Sequence, residues 1–175
     1  MEAAPVASAI RAPRLDLEPL TSRHADELAE ALADDRLHEY TGGQPADAAR
    51  WRQRCLRMNA GPEEPGEAWC NWAARHRATG RIVGWAQATV RWETGGPATA
   101  LLAWTTAVPW QGRGLATEAA RAMTGWLARQ GVRRFSATIH PAHRASERVA
   151  MAAGLTPTED VVDGERVWTG AAEVD

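Results

Sequence analysis

Residues 111–117, Gln111-Gly112-Arg113-Gly114-Leu115-Ala116-Thr117, put glycine-rich backbone where an apolar, β-compatible run gives way to a helical repeat. Two glycines without a Cβ let main-chain amides close on an anion, and the positive end of a following helix favours the charge they surround, so the spacing suits a diphosphate. Arg113 adds a cation to the same turn. On these residues alone, an ordinary strand-to-helix connection is the alternative reading. A second group stands at His140, which closes the apolar run 135–139 ahead of Pro141. With an ordinary pKa near 6.5, a histidine there suits proton acceptance at neutral pH, and a hydrogen-bonded structural histidine is the alternative. Glu93 at the end of a strand, and Asp163 and Glu165 in a late turn, are acids of second rank. Neither Cys55 nor Cys70 lies near the glycine turn in sequence and no Gly-x-Ser-x-Gly elbow occurs, so the residues offer no covalent nucleophile.

These groups need elements to hold them. Residues 14–18 alternate as a strand, and Thr21-Ser22 then starts a helix through Leu28 and Leu32 that ends at residues 40–45. A second helix is predicted over 46–59. Residues 68–75, 81–92 and 98–108 read as three strands joined by glycine-containing turns, an antiparallel meander. After the glycine turn, Leu115, Ala119, Met123, Trp126 and Leu127 recur at helical spacing, with Gly131 placed to end the helix. A strand, a helix from about His143, and two short strands around 161–162 and 166–169 follow, the last pair joined at Asp163-Gly164. This order predicts a mixed α/β (α+β) sheet, mostly antiparallel and flanked by helices, with a crossover helix beginning at the glycine turn.

The pattern Gln111-x-x-Gly114-x-Ala116 resembles the signature of the GNAT N-acetyltransferases. The later residues Pro141, His143, Ala145-Ser146 and Gly154-Leu155 extend that resemblance over most of the chain, and the runs Gly-x-Gly-x-Ala-Thr-Glu-Ala and Ala-Ser-x-x-Val are most similar to the RimJ/RimL-type branch. The resemblance implies central strands that splay apart, with acetyl-CoA as co-substrate and its pantetheine arm between them. It implies contacts from Ala107 and Val108 at the strand end and from Gln111, Gly112, Arg113, Gly114, Leu115, Ala116 and Thr117 around the pyrophosphate. It further implies that the Val108 N–H polarises the thioester carbonyl and that Ser146 protonates the departing thiolate. At its helix start Ser146 can instead satisfy backbone amides, and His143, where relatives carry asparagine, can cap the helix or contact the pantetheine amides. Two familiar groups are missing: a strand glutamate, where this chain has Leu101-Leu102-Ala103-Trp104, and a helix tyrosine, where it has Ala150. Tyr40, the only tyrosine, falls with Gly42-Gly43 in the region where relatives shape the acceptor site. Gln87, on the middle strand, can orient an acceptor if it faces the pocket, and Trp104 reads first as packing and second as an acceptor contact.

With 175 residues, 45% apolar and 24% charged, the chain suits one domain over 1–175, its residues 1–12 expected to be flexible. Twenty basic against twenty-two acidic side chains remove the electrostatic case for a nucleic-acid or membrane-surface partner. Two unpatterned cysteines suggest neither disulfide framework nor metal site, and the start resembles no signal peptide, so a cytoplasmic protein is expected, monomer or homodimer. The leading reading is an acetyl-CoA-dependent N-acetyltransferase acting by direct attack in a ternary complex on a small-molecule amine or a protein N-terminus. The alternatives are a non-catalytic acyl-CoA-binding or sensor protein and a dinucleotide-dependent oxidoreductase, the latter lacking the third glycine of its fingerprint.

Overall fold

A computed structural model describes residues 4–172, apart from 64 and 94. Among the described residues eight strands form one sheet in the order β1 (Ile10–Arg11), β2 (Leu15–Pro19), β3 (Glu67–His76), β4 (Ile82–Arg91), β5 (Ala98–Thr106), β6 (Val132–Ile139), β8 (Glu165–Ala171), β7 (Thr156–Val162). Every neighbouring pair is antiparallel except β5 and β6, which run parallel because α3 (Leu115–Arg129) crosses between them. The remaining helices are α1 (Ala25–Ala31), α2 (Ala48–Ala60) and α4 (Arg144–Ala152).

The apolar pattern explains the layers. Leu115, Ala119, Met123, Trp126 and Leu127 lie buried on one stripe of α3, packed in the same core as Leu17, Trp72, Val90, Phe135 and Ile139 from the sheet. On the other face α1 and α2 bring Leu28, Trp51, Cys55 and Met58 against Ala73, Ile82 and Trp85. Five of the nine tryptophans, Trp51, Trp72, Trp85, Trp126 and Trp168, are buried; Trp72 meets Trp126 edge to face at 5.2 Å and Trp51 meets Trp85 at 5.8 Å.

The sheet departs from the sequence expectation at identifiable places. Within residues 5–12 the chain makes tertiary contacts: Trp72 Nε1 donates to Ser8 O at 2.8 Å, Trp126 Nε1 to Ser8 Oγ at 2.9 Å, and Ile10 and Ala12 are buried. Residues 1–3 of the expected flexible start lie outside the described residues. The segment after Thr21 begins as a 3-10 turn, Ser22–His24, and becomes α-helical only at Ala25. Strand β5 stops at Thr106, short of the expected 108, because Pro109 cannot serve a ladder and Val108–Trp110 close into a 3-10 turn. Strand β7 starts at Thr156, well before the apolar pair 161–162, since an exposed edge strand needs no apolar alternation. The turn Asp163-Gly164 is as expected, both residues at positive φ.

Candidate active site

The parallel pairing of β5 with β6 ends at Leu101 opposite Ser136, yet β5 continues to Thr106 and β6 to Ile139. The two strands therefore splay, and the gap opens into a cavity of about 1120 Å³. Its walls come from β4 and β5, the glycine turn, the β6–α4 turn, and the segment ahead of α2 that carries Tyr40.

A bulge sets the mouth of the gap. The β3–β4 register skips Val83, freeing its carbonyl to accept the Ala107 N–H at 2.8 Å. Successive backbone groups alternate in direction, so the Val108 N–H turns away from β4, and it donates to no acceptor among the described residues. It is an exposed-side donor at the cavity wall, suited to a developing oxyanion.

Beyond Val108, Gly112 (φ 72°) and Gly114 (φ 76°) take left-handed backbone, the second as N-cap of α3. The amides of residues 112–117 find no acceptor among the described residues; the first bond of the helix is Glu118 N–H to Gly114 O at 3.0 Å. Consecutive unpaired N–H groups at a helix N-terminus are the donor set a pyrophosphate requires, so the residues fit coenzyme A.

The turn is fastened from a distance. Glu118, 12% exposed at its side chain, accepts the Arg14 N–H at 2.6 Å, the Leu15 N–H at 3.1 Å and Arg14 Nε at 2.7 Å, while Arg14 Nη1 donates to Arg113 O at 2.9 Å. Gln111 Nε2 ties the turn back to Thr106 O at 3.0 Å. The Arg113 guanidinium rests on the Trp110 ring at 5.0 Å rather than lining the cavity, so its side chain supports the turn and only its N–H joins the cradle.

On the facing helix, Ser146 Oγ accepts the Trp104 indole N–H at 3.2 Å across the gap, leaving its own proton without a protein acceptor. The alternative in which Ser146 serves backbone amides is not what the structure shows. His143 is the N-cap of α4 but makes no side-chain cap bond; its ring stacks on Tyr40 at 4.5 Å. Burial lowers the His143 pKa from its ordinary value, His140 reinforces that, and Glu39, Glu147 and Glu165 oppose it.

The family profile described as an acetyltransferase (GNAT) domain matches residues 14–156. This chain belongs to the GNAT acetyltransferase family. No curated protein matches it. Its fold is similar to that of a GNAT-family acetyltransferase from Bordetella pertussis (24% identity, TM-score 0.72, covering 94% of this chain and 99% of that one). It is also similar to Mycobacterium smegmatis RimJ in complex with CoA-disulfide (20%, 0.74, 94% and 86%) and to AAC(6')-Ib in complex with Parmomycin and AcetylCoA (20%, 0.73, 90% and 93%).

Within this GNAT fold the sequence-based site residues divide. Val108, Gln111, Gly112, Gly114, Leu115, Ala116, Thr117, His140, His143 and Ser146 all line the cavity, as do Tyr40, Gln87, Trp104 and Glu165. Ala107 does not: it is 2% exposed, its N–H is held by Val83 and its carbonyl by Trp110, so it anchors the turn. Glu93 is exposed in the turn before β5, roughly 27 Å along that strand from the site. Asp163 is exposed outside the cavity. His140 reaches the cavity, but its Nδ1 accepts the Ala142 N–H at 3.1 Å. Its neutral ring therefore carries the proton on Nε2 and presents a donor, so it does not fit the expected proton acceptor. Cys70 and Cys55 are buried and free, and burial raises both thiols, Cys70 to about 11, which suits packing rather than nucleophilic attack. Arg14 and Glu118 escaped the sequence reading, because nothing in local periodicity links residues a hundred positions apart.

Proposed function

We propose that this protein is an acetyl-CoA-dependent N-acetyltransferase that passes the acetyl group directly to a primary amine in a ternary complex, on one domain. The observation that carries the reading is the run of unpaired amides at 112–117 beside the splayed end of β5. Acetyl-CoA supplies an activated acyl thioester. The 112–117 amides hold the pyrophosphate, Val108 N–H donates to the thioester carbonyl as charge develops there, and Ser146, aligned by Trp104, gives its free proton to the departing thiolate. Tyr40 and Gln87 line the same cavity, and they shape the acceptor end. The acceptor is a small-molecule amine or a protein N-terminus, and a neighbour of the same fold is named an aminoglycoside acetyltransferase. Among the described residues no helix is long and apolar enough to cross a membrane.

A second reading, a non-catalytic acyl-CoA binder or sensor, is favoured by Leu101 and Ala150 standing where relatives carry a glutamate and a tyrosine. Binding and turnover separate the two. Acetyl-CoA is expected to raise the melting temperature of the wild type and not of Gly114→Trp, whose side chain would fill the cradle at a left-handed backbone position. The unliganded melting temperature reports whether the variant folds. An unchanged acetyl-CoA affinity in folded Gly114→Trp refutes the cradle, and release of thiol only when amine is present separates enzyme from binder.

A further inference from the structure

Direct transfer leaves a proton to be placed. When the amine nitrogen bonds the thioester carbon it must lose a proton, and none of the family's familiar acids stands in β5 to take it. His140 is committed through Nδ1 to its own turn. The other imidazole at the cavity wall is free: neither nitrogen of His143 has a hydrogen-bond partner among the described residues.

We propose that His143 is the proton acceptor for the incoming amine, held at its post by the stacked ring of Tyr40. The placement follows from the fold. Tyr40 belongs to the segment ahead of α2 that walls the acceptor side, and it contacts His143 at 4.5 Å and His140 at 5.4 Å. Ser146 lies three residues along α4 from His143, a rise of roughly 4.5 Å. Amine and thiolate thus meet their proton acceptor and donor on one helical turn. The proton count closes. The free-base amine forms the C–N bond and yields its proton to His143; the C–S bond breaks, the thiolate takes the Ser146 hydroxyl proton, and the imidazolium restores Ser146 directly or through water. An amide and a free thiol result.

The charged groups that bear on the titration of His143 are Glu39 from the Tyr40 segment, His140 from the β6–α4 turn, Glu147 on its own helix but paired with Arg144 at 2.8 Å, and Glu165 from β8; Arg36 and Arg148 line the same cavity. The net direction is downward, with burial first. A proton acceptor must be neutral, so activity is full above its pKa and is lost as pH falls through it. That limb lies below the ordinary value of about 6.5.

This inference rests on the acetyl-transfer reading, and the test separates them. Amine-dependent thiol release by the wild type is measured first; if there is none, both fall together. His143→Gln and His143→Asn, each checked for folding by its melting temperature, are then compared over pH. The expected result is a fall in kcat of about 100-fold at neutral pH, loss of the acidic limb, and an acetyl-CoA KM within about twofold of wild type. In the free protein, ring NMR should show His143 titrating below an exposed histidine and His140 as the Nε2–H tautomer. A raised acetyl-CoA KM with kcat retained would make His143 a pantetheine contact, and an acidic limb that survives at the same midpoint in both variants would equally overturn the proposal.

Discussion

The strap between Glu118 and Arg14 gives the most calculable perturbation. Removing the carboxylate in Glu118→Ala deletes two backbone N–H bonds, at 2.6 and 3.1 Å, and an ion pair at 2.7 Å. A hydrogen bond to a charged group is worth about 1.5–3 kcal/mol. Arg14 is 48% exposed at its side chain, so the ion pair is screened and the Arg14 amide can turn to water. Leu15, by contrast, is 1% exposed, and its amide loses its partner with little access to solvent. A net cost of about 2–3 kcal/mol follows, mostly from the Leu15 bond and the loosened start of α3. For a chain of this size that corresponds to a fall in melting temperature of about 4–12 °C. The same loss releases Arg113 O and the glycine turn, so acetyl-CoA affinity should weaken severalfold. Calorimetric melting and titration of acetyl-CoA into Glu118→Ala measure both. A melting temperature within one or two degrees of wild type would show that the turn is held by something other than this strap.

Ser146→Ala should lower kcat more than acetyl-CoA affinity, and Trp104→Phe, which removes only the indole donor, should lower kcat by about fivefold, the equivalent of one ordinary hydrogen bond of about 1 kcal/mol; steady-state kinetics with isothermal binding controls decide it, and the reverse split would make Ser146 a binding residue. Gly84→Ala should lower melting temperature and turnover together, because its Cβ would collide with Thr105 O and push the end of β5 that carries Val108; full activity in that variant would argue that the strand end tolerates displacement.

What could be read from the sequence depended on how local the cause was. The glycine turn was legible because two glycines at left-handed φ and an apolar helical stripe are each written within a few residues. The meander was legible from its turns. Position 108 was misread as strand because the effect of Pro109 is to start a 3-10 turn, where an apolar run gives no warning. His140 lined the cavity as expected, yet the use of Nδ1 by the Ala142 amide depends on the turn geometry around Pro141. Glu93 shows the limit of one-dimensional reasoning: it closes a strand, but at the end of the sheet away from the chemistry. Arg14–Glu118 and Trp104–Ser146 are contacts between distant segments, and no periodicity encodes them.

The central claim, acetyl transfer from acetyl-CoA to an amine, is tested most directly by following free thiol and product mass together while acetyl-CoA is presented with polyamines, aminoglycosides and peptides bearing free N-termini. Thiol release is expected to require one of these amine classes and to match, mole for mole, an amine carrying one added acetyl group. Tight acetyl-CoA binding with neither thiol release nor acetylated product from any class would contradict it and leave the acyl-CoA sensor as the reading that fits the fold.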